Sequence, residues 1–468
     1  MAKLPVPIIR GDKVEGADYV DFLPKNLLAI PKDIRGAAGY MLAHDGLKLI
    51  NNELGKTYDR GAIYNERQKK HLRVIGDRLY SVNVDGSTTN IGEILGNEQA
   101  SLAYSFNSTL IVTNKKAWLY KNDGTLSRIL DLDLGAPIDG CWIAGYYVFT
   151  DGEYLYHTDI NDETQVSPLQ FATAEISPDS TLGVMATQEG LLIAFGSNTM
   201  QWFVNQANEF FAFSNIPQKA INAGIVGTYA KTMLAGGIFI VGGRAGESPS
   251  VYGVGAGDIQ SISTRTVDTI LASYTADELA TTVLESRVDE RYELLIVRLP
   301  RHTLVFNYSA AKALGANECW SVLSTGVDGG VWIGANGVYD PARRQWVYGS
   351  AIDGRIFSLD KESAAQDGQL VEFEVQTPLI PLEEVRVSKI ELDTVTGFGT
   401  SDMSAFISVS NDGVFQGAEW IELYSTPSVF GGSLITRRIG YVDRMFSTRV
   451  RVLSKQRVNF SKLVITYG

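Results

Sequence analysis

Between Leu110 and Asp360, short apolar and aromatic runs come in pairs. Each pair is split by a turn and is often followed by an acidic residue or Asn beside Gly. LIVTNKKAWLYKNDG (110–124), YYVFTDGEYLYHTDI (146–160), LLIAFGSNTMQWFVN (191–205), LLIVRLPRHTLVFNY (294–308) and WVYGSAIDGRIFSLD (346–360) are clear copies. HLRVIGDRLYSVNVDG (71–86) and IFIVGGRAGESPSVYGVGAG (238–257) fit more loosely. Each reads as a β-hairpin, because β-branched and aromatic runs suit a half-buried pleated face while Gly, Asn and Asp accept the positive φ of tight turns. The starts at 71, 110, 146, 191, 238, 294 and 346 lie 36 to 56 residues apart. A four-stranded propeller blade needs about 40–50 residues, so one hairpin per blade predicts a β-propeller of six or seven blades. Aromatics recurring at this spacing belong mostly to the blade cores.

The flanks carry different patterns. ADYVDFLPKNLLAIPKDIRG (17–36) holds Pro24 and Pro31 within an apolar set too dense for a disordered tail. It predicts an extended N-terminal arm with a helical turn, packed on its own domain or on a neighbour. SYTADELATTVLES (273–286) predicts the one clear helix, with Thr275 as N-cap and Glu278 at capping-box distance. SAAQDGQL (363–370) reads as a polar linker. Beyond it VEFEVQ, EVRVSKIELDTV, AFISVSNDG, STRVRVLSK and KLVITYG alternate with period two, and Asn411, Asp412 and Gly413 supply a hairpin turn. The fold class is therefore all-β: an arm (1–38), a propeller (39–362) and a C-terminal antiparallel β-sandwich (363–468).

Composition supports a turn-dense globular protein, with 46 Gly, 14 Pro and 20% charged residues among 468. No apolar stretch reaches membrane-spanning length, and the N-terminus reads as lacking a secretory signal. Cys141 and Cys319 are expected to be buried free thiols. The net charge of −12 is uneven, since 437–462 holds eight bases and one acid. An acidic body argues against general affinity for nucleic acid. Arg449 and Arg451 alternate with Val450 and Val452, which puts the arginines on one strand face; solvent, an acidic partner or a nucleic-acid backbone could meet them. Catalytic signals are weak. His44, His71, His157 and His302 make no metal-ligand spacing, GVGAG (253–257) lacks a βαβ context, and no cofactor is expected. Paired acids such as Asp289/Glu290 and Glu383/Glu384 leave open a propeller carbohydrate-binding module or a glycan-processing tail enzyme, although adjacent acids on a strand point to opposite faces.

Several long strings resemble one known family. GADYVDFLPKNLLAIPKDI (16–34), GYMLAHDGL (39–47), GIVGTYAKT (224–232), PSVYGVGAG (249–257), SYTADELAT (273–281), ELLIVRLPRHTLVF (293–306), ECWSVLSTG (318–326) and RRIGYVDRMFSTRVRVLSKQRV (437–458) are similar to the packaged-DNA stabilisation proteins, or tail hubs and nozzles, of short-tailed bacteriophages. The resemblance implies a non-enzymatic virion tail protein, assembled in the host cytoplasm as a ring of about six copies. It further implies a tube below the portal and its adaptor that extends the DNA channel, receives the tail needle, docks tailspikes, retains packaged DNA and conducts it at ejection without reading its sequence. Within that picture, Tyr19, Phe22, Leu23, Leu27 and Leu28 of the arm and Arg437, Arg438, Arg449 and Arg451 of the basic strip are the expected subunit or partner contacts. Deleting residues 1–30 is then expected to leave a folded propeller that fails to assemble.

Overall fold

The computed structural model describes residues 2–8, 22–32, 37–55, 57–160, 162–173, 179–255, 257–327, 329–394, 396–397, 399–414, 416–430 and 434–468. Seven antiparallel sheets follow one another from residue 59 to residue 360. All seven predicted hairpins are present, each as the second and third strands of one sheet; Ser108–Thr113 with Lys116–Lys121 and Glu293–Arg298 with Thr303–Asn307 are examples. The remaining strands lie between the hairpins, which accounts for the uneven repeat length.

Successive sheets contact each other in a closed ring, mostly through their first strands. Asp59–Asn65 meets Ser101–Tyr104, which meets Asp139–Ile143, which meets Thr181–Ala186; the fourth sheet then meets the fifth through Leu191–Gly196 against Gly224–Ile225, and Lys231–Leu234 of the fifth meets Val283–Val288. Gly334–Asp340 then returns to Asp59–Asn65. The molecule is thus a seven-bladed propeller with the first strands innermost. The seventh blade takes its outermost strand, Gly46–Asn51, from the N-terminal side, where it pairs with Ile356–Asp360. That pairing closes the ring, because segments from both ends of the propeller complete one blade.

Blades hold together face to face. Leu72 and Val74 of the first pack with Ile111 and Trp118 of the second, and Leu110 and Leu119 with Tyr147 and Phe149 of the third. These side chains are at most 6% exposed, and full burial of each stabilises by roughly 1.5–3 kcal/mol. The recurring aromatics are therefore largely core, as their spacing predicts.

The C-terminal part is a sandwich of two antiparallel sheets. One orders Ala2–Pro7, Lys462–Tyr467, Val385–Asp393 and Leu434–Val442; the other orders Val371–Gln376, Met445–Ser454, Met403–Ser410 and Trp420–Ser425. Val450 and Val452 are fully buried between the sheets while Arg449 and Arg451 lie on the outer face, as the alternation requires.

Three expectations change. The helix at Thr275 has its capping box, but it spans only Ala276–Ala280, and Val283–Val288 is the inner strand of the sixth blade. Pairing with Glu293–Arg298 and burial of Leu284, Glu285 and Arg287 override the helical propensity before it. Residues 363–370 join the two parts but are not a free linker, because Ala364 and Gln366 are 2% exposed and the Ala365 and Ser363 carbonyls accept the amides of Leu47 and Gly46. The described part of the arm contains no helical turn. It consists of the strand Ala2–Pro7, built into the sandwich, and Leu27–Ile30, paired with Tyr40–Ala43.

Candidate interaction surfaces and the propeller axis

A propeller axis is the usual place to look for a conduit or an active site, because loops and strand ends from every blade converge there. Here buried polar groups link blades across the ring. Asp59 accepts hydrogen bonds from Arg73 (2.7 Å) and from the Asn336 amide of the seventh blade (2.6 Å). Asn336 in turn accepts one from Gln99, which precedes the second blade (2.7 Å). The Gln99 carbonyl accepts the Tyr229 hydroxyl, which belongs to the fifth blade (2.7 Å). Lys231, also of the fifth, donates to Asp139 of the third (2.7 Å), and Asp139 also accepts from Ser101 and from the Val184 amide. Glu285 of the sixth blade is held by Arg298 (2.8 Å) and by the amides of Asn336 and Gly337 (2.9 Å each).

The bonds from fifth blade to second and from fifth to third span non-neighbouring blades, so side chains close the axis at this level. A DNA duplex, whose major groove alone is about 12 Å wide, cannot thread it. The axial carboxylates Asp59, Asp139 and Glu285 are at most 9% exposed and engaged with cations or amides. They serve as struts, not as a facing pair left free for a substrate.

Two histidines belong to matching buried triads. His71 Nδ1 lies 3.3 Å from Asp340 while Nε2 lies 3.0 Å from an Arg73 nitrogen; His44 Nδ1 lies 2.9 Å from the Asp45 carbonyl while Nε2 lies 3.4 Å from Arg287. Arginine can only donate, so Nε2 accepts and Nδ1 carries the proton. Burial, reinforced by the adjoining guanidinium, lowers both histidines to about 4. They are neutral structural groups.

The segment 22–47 joins propeller and sandwich. Lys25 pairs with Glu372 (2.6 Å) and Glu374 (3.5 Å), and the Asn26 amide bonds Ser324 of the sixth blade and the Glu372 carbonyl. Asp45 lies between Arg287 of the sixth blade (2.5 Å) and Arg457 of the sandwich (3.0 Å). Within this joint, Leu27 and Leu28 are 0% and 1% exposed, so their side chains face the chain's own core and not a partner. Phe22 and Leu23 are half-buried. Tyr19 lies outside the described residues.

The basic strip divides in two. Arg451 bonds Glu372 and Glu419, and Arg449 lies 3.6 Å from Glu374 and 3.7 Å from Glu419. Partial burial opposes the Arg451 charge, but the two carboxylates outweigh it and raise its pKa. The predicted cationic face is thus largely neutralised inside the chain; Glu372 and Glu374 of VEFEVQ supply the acids, which sequence distance concealed. Arg437 and Arg438 remain exposed on Leu434–Val442, an edge strand. Arg437 pairs with Lys389 and Gly440 with Val387, so two residues bulge against one, with Arg438 at φ 62°. Beside this edge, Ile421, Leu423 and Tyr441 are 68%, 56% and 63% exposed.

One feature escaped the hairpin pattern because it is a matter of charge alone. Residues 129–218 contain 12 Asp and Glu and no Lys or Arg. Bases and acids elsewhere balance at 41 each, so the entire net charge sits on this stretch, which builds the third and fourth blades. A windowed charge count would have revealed it.

Comparison with known proteins matches two family descriptions in succession: "Bacteriophage P22 Gp10, beta-propeller" over residues 4–364 and "Bacteriophage P22 Gp10, beta-sandwich" over residues 372–468. The tail hub protein gp10 of Salmonella phage P22 is 29% identical over 481 aligned positions, covering 98% of each chain. Among solved structures, an extracellular domain of a hybrid two-component system from B. thetaiotaomicron is 10% identical, with TM-score 0.45 over 85% of this chain and 47% of that one. The N-terminal domain of Nup159 is 8% identical, with TM-score 0.41 over 73% and 99%. Likenesses this slight carry no functional weight.

Proposed function

Because the chain belongs to the bacteriophage P22 Gp10 family of tail hub proteins, spanning both its propeller and its sandwich, we propose that it is a structural hub of a virion tail. In this reading, a ring of about six copies surrounds the passage that DNA takes between the portal's adaptor and the tail needle. Tailspikes dock on its outside. The hub retains packaged DNA and conducts it at ejection. The role is mechanical, with no cofactor and no chemical step, and assembly takes place in the host cytoplasm before the tail joins the particle. The arm (1–38), propeller (39–362) and sandwich (363–468) are its working parts.

The observation that carries the reading furthest is the closed propeller axis. A hub that conducts DNA through a blocked axis must form its conduit between copies, so oligomerisation is a requirement of the function. The exposed sandwich edge with Ile421, Leu423, Tyr441, Arg437 and Arg438 supports a surface for other tail proteins. Cryo-electron microscopy of intact particles tests the proposal. Copies around a DNA-filled passage below the portal, each propeller off the central axis, are expected. A peripheral position, or DNA density on a propeller's own axis, overturns it.

A further inference from the structure

We infer that neighbouring copies join head to tail, with the rim of the third blade inserted into the cleft between propeller and sandwich of the next copy. The inference rests on the hub reading above and names the surfaces that build the ring.

The inserting side is acidic and apolar together. The loop entering the third blade exposes Leu130 (78%) and Leu132 (95%), and Phe171 on that blade's outermost strand is 49% exposed. The loop is held in shape: Asp131 accepts the amides of Asp133 and Val166, and Leu134 beneath it is buried. A loop backbone already fixed in shape loses little conformational freedom on docking, which favours a contact surface. Asp133 in the loop and Asp162 at the start of the outermost strand are exposed, within a segment that has no cation, and exposed Arg128 borders the loop on its N-terminal side.

The receiving side is a cleft of about 1310 Å³. Exposed Arg291, Lys361 and Lys455 line it, along with Leu370, which is 44% exposed. Glu362 and Asp402 also line it, and Arg457 there is committed to Asp45, so its free charge is cationic on balance. Charge and apolar surface therefore match between the two sides.

Position supplies the second argument. The sandwich is fixed to the sixth and seventh blades, through Lys25 between Val322 and Glu374 and through Arg457 on the Lys361 carbonyl. From the junction of those blades to the third is three and a half places in a ring of seven, which is half a turn. Two different, complementary patches on opposite sides of one molecule form a heterologous contact, which closes into a ring when the rotation between copies allows. The same patches could not form a two-fold dimer by pairing with themselves.

The test places a photo-crosslinking residue, p-benzoylphenylalanine, at Leu132 in the full chain and irradiates tails purified from particles. Covalent multimers are expected, with the attachment mapping to 361–370 or 453–457. Half a turn of propeller separates these sites within one chain, so such links arise between copies. Assembled tails whose links map elsewhere on the neighbour, to another protein, or nowhere overturn the inference while leaving the hub reading intact. Particles that lack the chain overturn the hub reading itself. As an independent check, Lys361→Glu with Lys455→Glu should lower multimer yield about tenfold, and adding Asp133→Lys with Asp162→Lys should restore it. Loss without restoration in chains of unchanged circular dichroism also counts against the contact.

Discussion

Replacing Arg287 tests whether the joint between propeller and sandwich depends on a buried charge cluster. The guanidinium is fully buried between Asp45 (2.5 Å) and Asp289 (2.6 Å), whose side chains are 2% and 6% exposed. Burial opposes its charge, yet the surrounding carboxylates and Tyr348 raise its pKa, and Asp45 is lowered by the same contact against its own burial. Arg287→Met keeps an unbranched stem and removes the guanidinium. Stranding buried carboxylates in this way costs about 3–5 kcal/mol. Two contacts soften the loss: Asp45 keeps Arg457 at 3.0 Å, and Asp289 keeps the amides of Arg291 and Tyr292. A value of about 3 kcal/mol is therefore expected. The double variant Arg287→Met/Asp45→Asn removes cation and anion together and should be more stable than the single by about 1–2 kcal/mol. Urea unfolding followed by tryptophan fluorescence suits the measurement, because buried Trp332 stands edge-on to His44, 5.6 Å away, beside the cluster. A cost below about 1 kcal/mol for the single variant, or a double variant no more stable than the single, refutes the view that the cluster is a coupled unit.

Three further outcomes are expected. His44 and His71 stand near 4 in the folded chain and about 6.5 when unfolded, so their contribution is complete above the unfolded value and declines as pH falls toward 4; from pH 7 to pH 5 each should remove about 2 kcal/mol, read as a falling urea midpoint that His44→Gln and His71→Gln flatten. A Cβ on Gly227 would lie 2.1 Å from the Ala280 carbonyl oxygen and one on Gly242 1.9 Å from that of Gly224, so either Gly→Ala change should lower the melting temperature, whereas Gly190→Ala, with nothing within 4 Å but φ at +77°, should cost only its backbone strain. Deleting residues 1–8 should remove one edge strand of the sandwich and leave the propeller intact, but deleting 1–30 also removes Lys25, Asn26, Leu27 and Leu28 from the joint and should lower stability as well as assembly, visible as new protease cleavage between residues 363 and 371.

The fold was legible where local physics decides it. Six of the seven hairpins place their apolar residues and a turn Gly, Asn or Asp within about twenty positions, the other turns at 299–302 around Pro300, and all seven appear as the middle strands of blades. Contacts that depend on distant residues were not legible. Arg449 and Arg451 look like a free cationic face until Glu372 and Glu374, some eighty positions earlier, pair beside them on the neighbouring strand. Leu27 and Leu28 look like anchors for a partner until long-range packing buries both, Leu28 in one cluster with Ile296 of the sixth blade and Tyr348 of the seventh. The acidic stretch 129–218 is the reverse case: it is plain in the sequence but has no meaning without the structure. Only once the blades are placed does it lie on two adjacent wedges facing away from the sandwich. A uniformly acidic surface would make copies repel one another all round. Confining the whole excess to one side leaves the remaining surface neutral on balance, so copies can approach in one orientation far more readily than in others. If the chain is the hub proposed above, with its own axis closed, that directional bias would let identical chains enclose a passage instead of aggregating at random.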